Sequence, residues 1–104
     1  MIITWINMND SIVTVLMKTI KVIFFWKYSY VEPILLYGSF NNWTIGTEMN
    51  FDEETSSMKC QLNLPPGTYE YKFKVGNNWY YDILLPNITD NDGNINNLIK
   101  VAQE

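Results

Sequence analysis

Apolar and polar residues alternate along two segments in the second half of the chain. Every even-numbered residue from 58 to 64 is apolar, and every odd-numbered residue from 69 to 75 is aromatic or aliphatic. A period of two is typical of β-strands that bury one face, and Pro65-Pro66-Gly67 between the segments is a turn signal. The pattern predicts two consecutive strands with these inward side chains: Met58, Cys60, Leu62 and Leu64, then Tyr69, Tyr71, Phe73 and Val75.

Turn signals divide the rest of the chain into further short strands. The predicted strands cover residues 21–26, 34–37, 47–51, 79–81 and 95–101, with an acidic turn at 52–54, a tight hairpin loop at 76–78 and a long polar loop at 82–94. Short strands with turns at this spacing are typical of an all-β sandwich. We therefore expect a single domain built around one core.

The first part of the chain, from Met1 to Ile20, is apolar but lies outside this pattern. Two asparagines and Asp10 interrupt it, and no basic residue precedes Lys18, which is unlike a secretory signal peptide. The apolar run is also too short and too interrupted to span a membrane comfortably. We predict that residues 1–20 form an N-terminal extension, as a strand, a helix or a docking arm, and that residues 21–104 form the β-sandwich module.

The composition argues against several classes of function. The 104-residue chain contains no histidine and no arginine, so its seven basic residues are all lysines. It lacks the usual general base at neutral pH, the commonest metal ligand and the side chain that binds phosphate with two parallel hydrogen bonds. The net charge of −4 argues against nucleic acid as a partner. The contiguous carboxylates at 52–54 also cannot flank a glycosidic bond, which argues against glycoside hydrolysis. We therefore expect no catalytic residue, and we also expect no metal or cofactor.

The single cysteine bears on the cellular compartment. Cys60 has no partner for an internal disulfide, which favours an intracellular, reducing environment. We expect the cytoplasm, with an organellar assembly as the alternative and membrane contact only through a larger complex. Within its strand, Cys60 occupies an inward position, which predicts a small core residue.

Two tryptophans lie beside amide side chains, each just after a predicted strand or its turn. Trp43 ends the motif Gly38-Ser39-Phe40-Asn41-Asn42-Trp43, and Trp79 follows Gly76-Asn77-Asn78. A sugar ring presents an apolar face that stacks on an indole, and hydroxyls that bind amide and ammonium groups. On this evidence alone, each tryptophan fits either a core position or a ligand platform. Trp26 lies inside a strand and is expected in or beside the core.

The order and spacing of these motifs resemble the glycogen-binding domain of the AMP-activated protein kinase β subunit. The resemblance spans residues 22–101 and depends on the Trp43 motif, on Leu64-Pro65-Pro66-Gly67, on Tyr71-Lys72-Phe73 and on the segment 93–99. It implies an early-set immunoglobulin-like β-sandwich that binds α-glucan, such as glycogen or starch, without catalysis. It also implies that the carbohydrate site is formed by Trp43, Lys72, Trp79 and Asn96.

Two departures from the family pattern keep a second hypothesis open. Asp92 stands about where the family often places a bulky apolar residue that contacts the glucan, which predicts weaker binding. Ile83, Leu84 and Leu85 are more apolar than the corresponding family loop, so we expect a protein partner to contact this loop and residues 1–20. One hypothesis is a glucan-binding module that tethers or regulates a partner protein. The other is a structural accessory subunit that reuses the fold for protein contacts without binding sugar.

Overall fold

The protein is almost entirely β-structure. A computed structural model describes residues 2–6, 12–16, 18–29 and 31–102, and side chains from residue 18 onward within these ranges. The described residues contain no helix that is both long and apolar enough to cross a membrane. Their strands are β1 (Ile2–Ile6), β2 (Ile12–Leu16), β3 (Ile20–Trp26), β4 (Ile34–Gly38), β5 (Thr47–Glu48), β6 (Asn50–Asp52), β7 (Ser57–Leu64), β8 (Gly67–Val75), β9 (Asn78–Tyr80), β10 (Asn87–Thr89) and β11 (Ile95–Val101).

The strands form two packed antiparallel sheets and one separate hairpin. The large sheet has the order β10-β11-β8-β4-β5, with β9 also paired to β8, and the small sheet has the order β3-β7-β6. The core lies between the large and small sheets. Its buried side chains are Phe24, Trp26, Ile34, Leu36, Met49, Met58, Cys60, Leu64, Tyr71, Phe73, Val75 and Val101. This arrangement confirms the predicted all-β, immunoglobulin-like sandwich.

The N-terminal hairpin consists of β1 and β2, which pair antiparallel with Ile2 opposite Leu16. The sequence left a strand, a helix or a docking arm open for residues 1–20, and the described backbone of this segment forms two strands. Residues 7–11, which join the two strands, and the side chains of both strands lie outside the described part of the chain. The division into an extension and a module remains a prediction.

The alternating pattern of β7 and β8 is confirmed by their burial. On β7, Met58, Cys60 and Leu64 are buried, and on β8, Tyr71 and Phe73 are buried, with Phe73 fully inaccessible to solvent. Leu62 and Tyr69 are half-buried and pack against the core, and Trp26 is buried as expected. Burial raises the pKa of the Cys60 thiol to about 11, so the side chain is neutral at physiological pH and serves as a small apolar residue.

The predicted strand at 47–51 is wrong in one respect, because it is two strands in different sheets. Thr47–Glu48 pairs with β4 in the large sheet, whereas Asn50–Asp52 pairs with β7 in the small sheet. Met49, at the crossing point, is 2% exposed, and its N–H donates to the carbonyl of Ile34 over 3.0 Å. The chain changes sheets here because this places the Met49 side chain in the core.

The long loop predicted at 82–94 contains a short strand, β10, which corrects the sequence interpretation. Asn87–Thr89 pairs antiparallel with β11 and forms an edge of the large sheet. The loop between β9 and β10 is held in place by Asn97, which is fully buried. The Asn97 amide accepts a hydrogen bond from the N–H of Asp82 at 2.7 Å and donates to the carbonyl oxygens of Asp82 and Pro86. A buried side chain on β11, more than ten residues away in sequence, therefore fixes the path of residues 82–86.

Candidate functional site

The exposed face of the large sheet carries an open cleft of about 710 Å³. All four residues implied by the resemblance line this cleft: Trp43, Lys72, Trp79 and Asn96. They come from distant parts of the sequence. Trp43 is 36% exposed and Trp79 is 47% exposed, which confirms that both tryptophans lie at the surface. The cleft is lined by Tyr37, Trp43, Glu70, Lys72, Trp79, Asp90, Asn94 and Asn96.

Strand pairing across β8 sets the centre of the cleft. Tyr37 on β4 lies opposite Lys72, and Trp79 on β9 lies opposite Lys74, so these four side chains share the outer face of the sheet. β4 and β9 flank β8 on its two sides, and their rings meet over it: the Tyr37 and Trp79 centroids are 4.9 Å apart at 65°. This edge-to-face contact is a favoured aromatic geometry and fixes the Trp79 ring.

A lysine and a glycine support this aromatic pair. The Lys74 ammonium lies 5.7 Å from the centroid of the Trp79 ring, within the range of a cation–π interaction. Gly46 leaves the space that Tyr37 occupies, because a Cβ at this position would come within 2.6 Å of the tyrosine ring. The Trp79 platform is therefore held from several directions before any ligand arrives.

Trp43 follows a short 3₁₀ helix, Ser39–Asn41, and has an uncommon backbone conformation. Its φ is +61° and that of Asn42 is +57°, a region that bulky side chains rarely adopt. The conformation is held by hydrogen bonds, since the N–H of Trp43 donates to the carbonyl of Gly38 over 2.9 Å. The Ser39 hydroxyl, in turn, accepts the N–H of Glu70 on β8 at 3.0 Å. This loop is thus anchored to the strand that carries Lys72.

Asn96 has a defined orientation because it contacts Glu70. Its Nδ2 donates to Oε1 of Glu70 over 3.2 Å, and both side chains line the cleft. The carbonyl oxygen of the Asn96 amide remains available as a hydrogen-bond acceptor. Lys72 makes no ion pair with any residue that the structure describes, so its ammonium retains its donors for a ligand.

The loop before β11 is organised around Asp90. One of its carboxylate oxygens accepts the backbone N–H groups of Asp92 and Asn94, each at 2.9 Å, and the other accepts the Asn94 amide at 3.2 Å. These bonds, foremost that from the Asn94 backbone, lower the pKa of Asp90, so it is ionised at neutral pH. The cleft is lined by Asp90 and Asn94, which flank Asp92, while Asp92 itself lies exposed at the turn.

Sugar binding needs flat apolar surfaces beside hydrogen-bonding groups, and the cleft provides both. It presents two indole rings and a phenol ring next to amide, ammonium and carboxylate groups. Among the described residues there is no group of three or more acidic, cysteine or histidine side chains that could hold a metal ion.

Comparison with known proteins identifies the family. Residues 20–104 match the family model of the glycogen recognition site of AMP-activated protein kinase. The chain belongs to this family. The glycogen recognition module is a carbohydrate-binding, non-catalytic domain.

Relatives of the chain are β subunits of 5'-AMP-activated protein kinase. The chain is 38% identical to the human β-2 subunit, 36% to the mouse β-2 subunit and 34% to the β-1 subunit of Sus scrofa, each over 72 residues. Each match covers 69% of this chain. The chain spans 26% of the human and mouse relatives and 57% of the pig relative, and so corresponds to a part of these proteins.

Four residues of the glycogen recognition module's cleft were not identified from the sequence: Tyr37, Glu70, Asp90 and Asn94. Glu70 alternates with Lys72 on the outward face of β8, and this periodicity was sufficient to suggest a shared surface. Tyr37 is adjacent to Gly38, but only the pairing of β4 with β8 reveals that it reaches Trp79. The turn signal at 90–94 marked a loop without showing that it borders the cleft.

Proposed function

We propose that the module binds α-glucan in this cleft, with the rings of Trp43 and Trp79 stacking on glucose units. The observation that supports this proposal most strongly is the convergence of both rings, Lys72 and Asn96 on one open surface. Stacking on exposed indoles removes apolar area of ring and sugar from water. The cleft is open rather than enclosed, so we expect weak binding at a single site and stronger retention on a branched polymer that offers many chain ends.

Lys72 and Asn96 have complementary polar roles in this proposal. The Lys72 ammonium donates to sugar hydroxyls, and the Asn96 carbonyl oxygen, left free by the contact with Glu70, accepts from them. Glu70 and Asp90 line the cleft beside Lys72, and Lys74 lies against the Trp79 ring at its margin, so two carboxylates balance two ammonium groups. This charge balance favours a neutral glucan over one that carries phosphate groups.

Replacing Lys72 with methionine tests the polar part of the proposal. The Lys72→Met variant keeps an apolar chain of similar length but loses the charged donor, and hydrogen bonds to charged groups contribute about 1.5–3 kcal/mol. We expect the affinity for maltoheptaose, measured by calorimetry, to fall by at least about tenfold. The matched control is Lys21→Met, an exposed lysine on β3 in the other sheet, which should bind as the unaltered chain does. Equal affinities of all three proteins would contradict the assigned role of Lys72.

The biological role that we propose is to attach a partner protein to glycogen. The relatives are named as subunits of an AMP-activated protein kinase, so the partner class that we infer is a kinase of this type. An intracellular setting belongs to the same proposal, since Cys60 is a free, buried thiol.

A second candidate function is supported by the loop that follows β9. Ile83 is 69% exposed, Leu84 is 83% exposed and Leu85 is 40% exposed. Contiguous exposed apolar residues are typical of protein contact surfaces. We propose this loop, together with residues 1–20, as the surface that contacts the partner protein, whether or not sugar is bound.

A further inference from the structure

Strand β9 presents aromatic rings on both of its faces at an edge of the large sheet. All three of its residues are exposed, and within the described residues β9 pairs with β8 alone. Successive side chains of a strand point to opposite faces. Trp79 therefore faces the glucan cleft, whereas Tyr80 faces the other way, where its ring centroid lies 6.0 Å from that of Trp26.

A second cleft, of about 480 Å³, lies on the Tyr80 side of this edge. Tyr28, Tyr80 and Tyr81 provide aromatic walls, and Ser29 and Glu32 add a hydroxyl and a carboxylate. Like the first cleft, it combines flat apolar surfaces with hydrogen-bonding groups at their margins, the combination that a sugar requires.

The walls of the second cleft are fixed by contacts within the protein. The Tyr28 hydroxyl donates to Oδ1 of Asp82 over 2.5 Å, and the Tyr28 ring lies 4.8 Å from that of Trp26, edge to face. Trp26 is only 5% exposed, so it forms a rigid base under the rings of Tyr28 and Tyr80. Aromatic side chains held in this way lose little entropy when they bind a ligand.

A hollow of about 330 Å³ beside β9 is lined by residues from both clefts. It shares Lys72, Trp79 and Asn94 with the glucan cleft, and Tyr80 and Tyr81 with the second cleft. The three concave surfaces are therefore neighbours around β9, and aromatic rings line each of them.

We propose that the second cleft is a further α-glucan subsite. It would bind sugar units of a glucan that extends from Trp79 around β9 to Tyr80. This inference depends on the proposed function, because it extends the same ligand beyond the first cleft. An α-1,4-linked glucan is naturally curved, which suits a path that turns around the edge of a sheet. A short oligosaccharide fills the first cleft alone, and a longer one gains the contacts of the second.

The dependence of affinity on sugar length tests this subsite. Calorimetric titrations of the full chain compare maltotriose with maltoheptaose, and we expect maltoheptaose to bind more tightly. Tyr80→Ala should lower the affinity for maltoheptaose by about three- to tenfold, the effect of one lost ring contact, and leave maltotriose unaffected. Tyr80→Phe retains the ring and should retain most of the gain. Glu53→Ala, an exposed substitution in the turn between β6 and β7, is the control and should match the unaltered chain.

Each alternative result has a distinct meaning. If Tyr80→Ala binds maltoheptaose as tightly as the unaltered chain does, the second subsite is wrong while the proposed function stands. If Tyr80→Ala weakens both sugars equally, Tyr80 acts through Trp79 and the subsite is again wrong. If the unaltered, folded chain binds neither sugar, the proposed function and this inference both fail.

Discussion

Replacement of Trp79 by alanine is expected to abolish retention on glycogen while the fold survives. The Trp79 ring is 47% exposed and contacts Tyr37 and Lys74 on the surface, so its loss opens no cavity in the core. Central aromatic residues of binding sites typically contribute about 2 kcal/mol or more, a factor of roughly thirty in affinity. Co-sedimentation with glycogen and titration with maltoheptaose would measure this loss.

The comparison variant at this position is Trp79→Phe, which keeps a smaller ring on the same platform. We expect it to bind more weakly than the unaltered chain but more strongly than Trp79→Ala. Circular dichroism and thermal unfolding of both variants should resemble those of the unaltered chain. Retention of Trp79→Ala on glycogen at the unaltered level would show that Trp79 is not part of the binding surface.

Replacement of Leu36 by alanine is expected to cause a large loss of stability. Leu36 is fully buried on β4 between the two sheets, opposite Phe73 in the strand pairing. Truncation of a buried leucine costs about 2–5 kcal/mol, because it removes apolar contacts and leaves a cavity. Small domains are stable by only about 5–15 kcal/mol, so urea denaturation should show a large fall in the free energy of unfolding.

The chain contains a matched control for this substitution. Leu84→Ala makes the same chemical change at a side chain that is 83% exposed, and we expect it to change the free energy of unfolding by less than about 0.5 kcal/mol. The Leu36→Ala variant should lose sugar binding as it unfolds, because unfolding separates Tyr37 and the other residues that line the cleft. Similar stabilities of the two variants would contradict the assignment of the core.

Local sequence patterns were sufficient to predict most of the strands. The alternation in β7 and β8 identified the inward residues, because each of these strands has one face against the core and one toward solvent. Two features were missed for physical reasons. Met49 crosses between the sheets, which no period reveals. β10 is held by pairing with β11 and by the buried Asn97, contacts that are distant in sequence.

The site was predictable by residue type but not by geometry. The alternation places Lys72 on the outward face of its strand, but the site roles of Trp43, Lys72, Trp79 and Asn96 all required the family resemblance. The alternation also places Glu70 on the outward face, but its contact with Asn96 and the contact of Tyr37 with Trp79 depend on strand register. The left-handed backbone of Trp43 is likewise set by hydrogen bonds to Gly38 rather than by any preference of tryptophan.

The most direct test of glucan binding in the cleft is an NMR titration that follows the indole N–H signals of Trp43 and Trp79 as maltoheptaose is added. We expect both signals to shift and to saturate at the same sugar concentration, because the two rings border one cleft. Signals that remain unmoved in a folded sample at high sugar concentration would contradict the account, and would leave the sandwich as a scaffold for protein contacts.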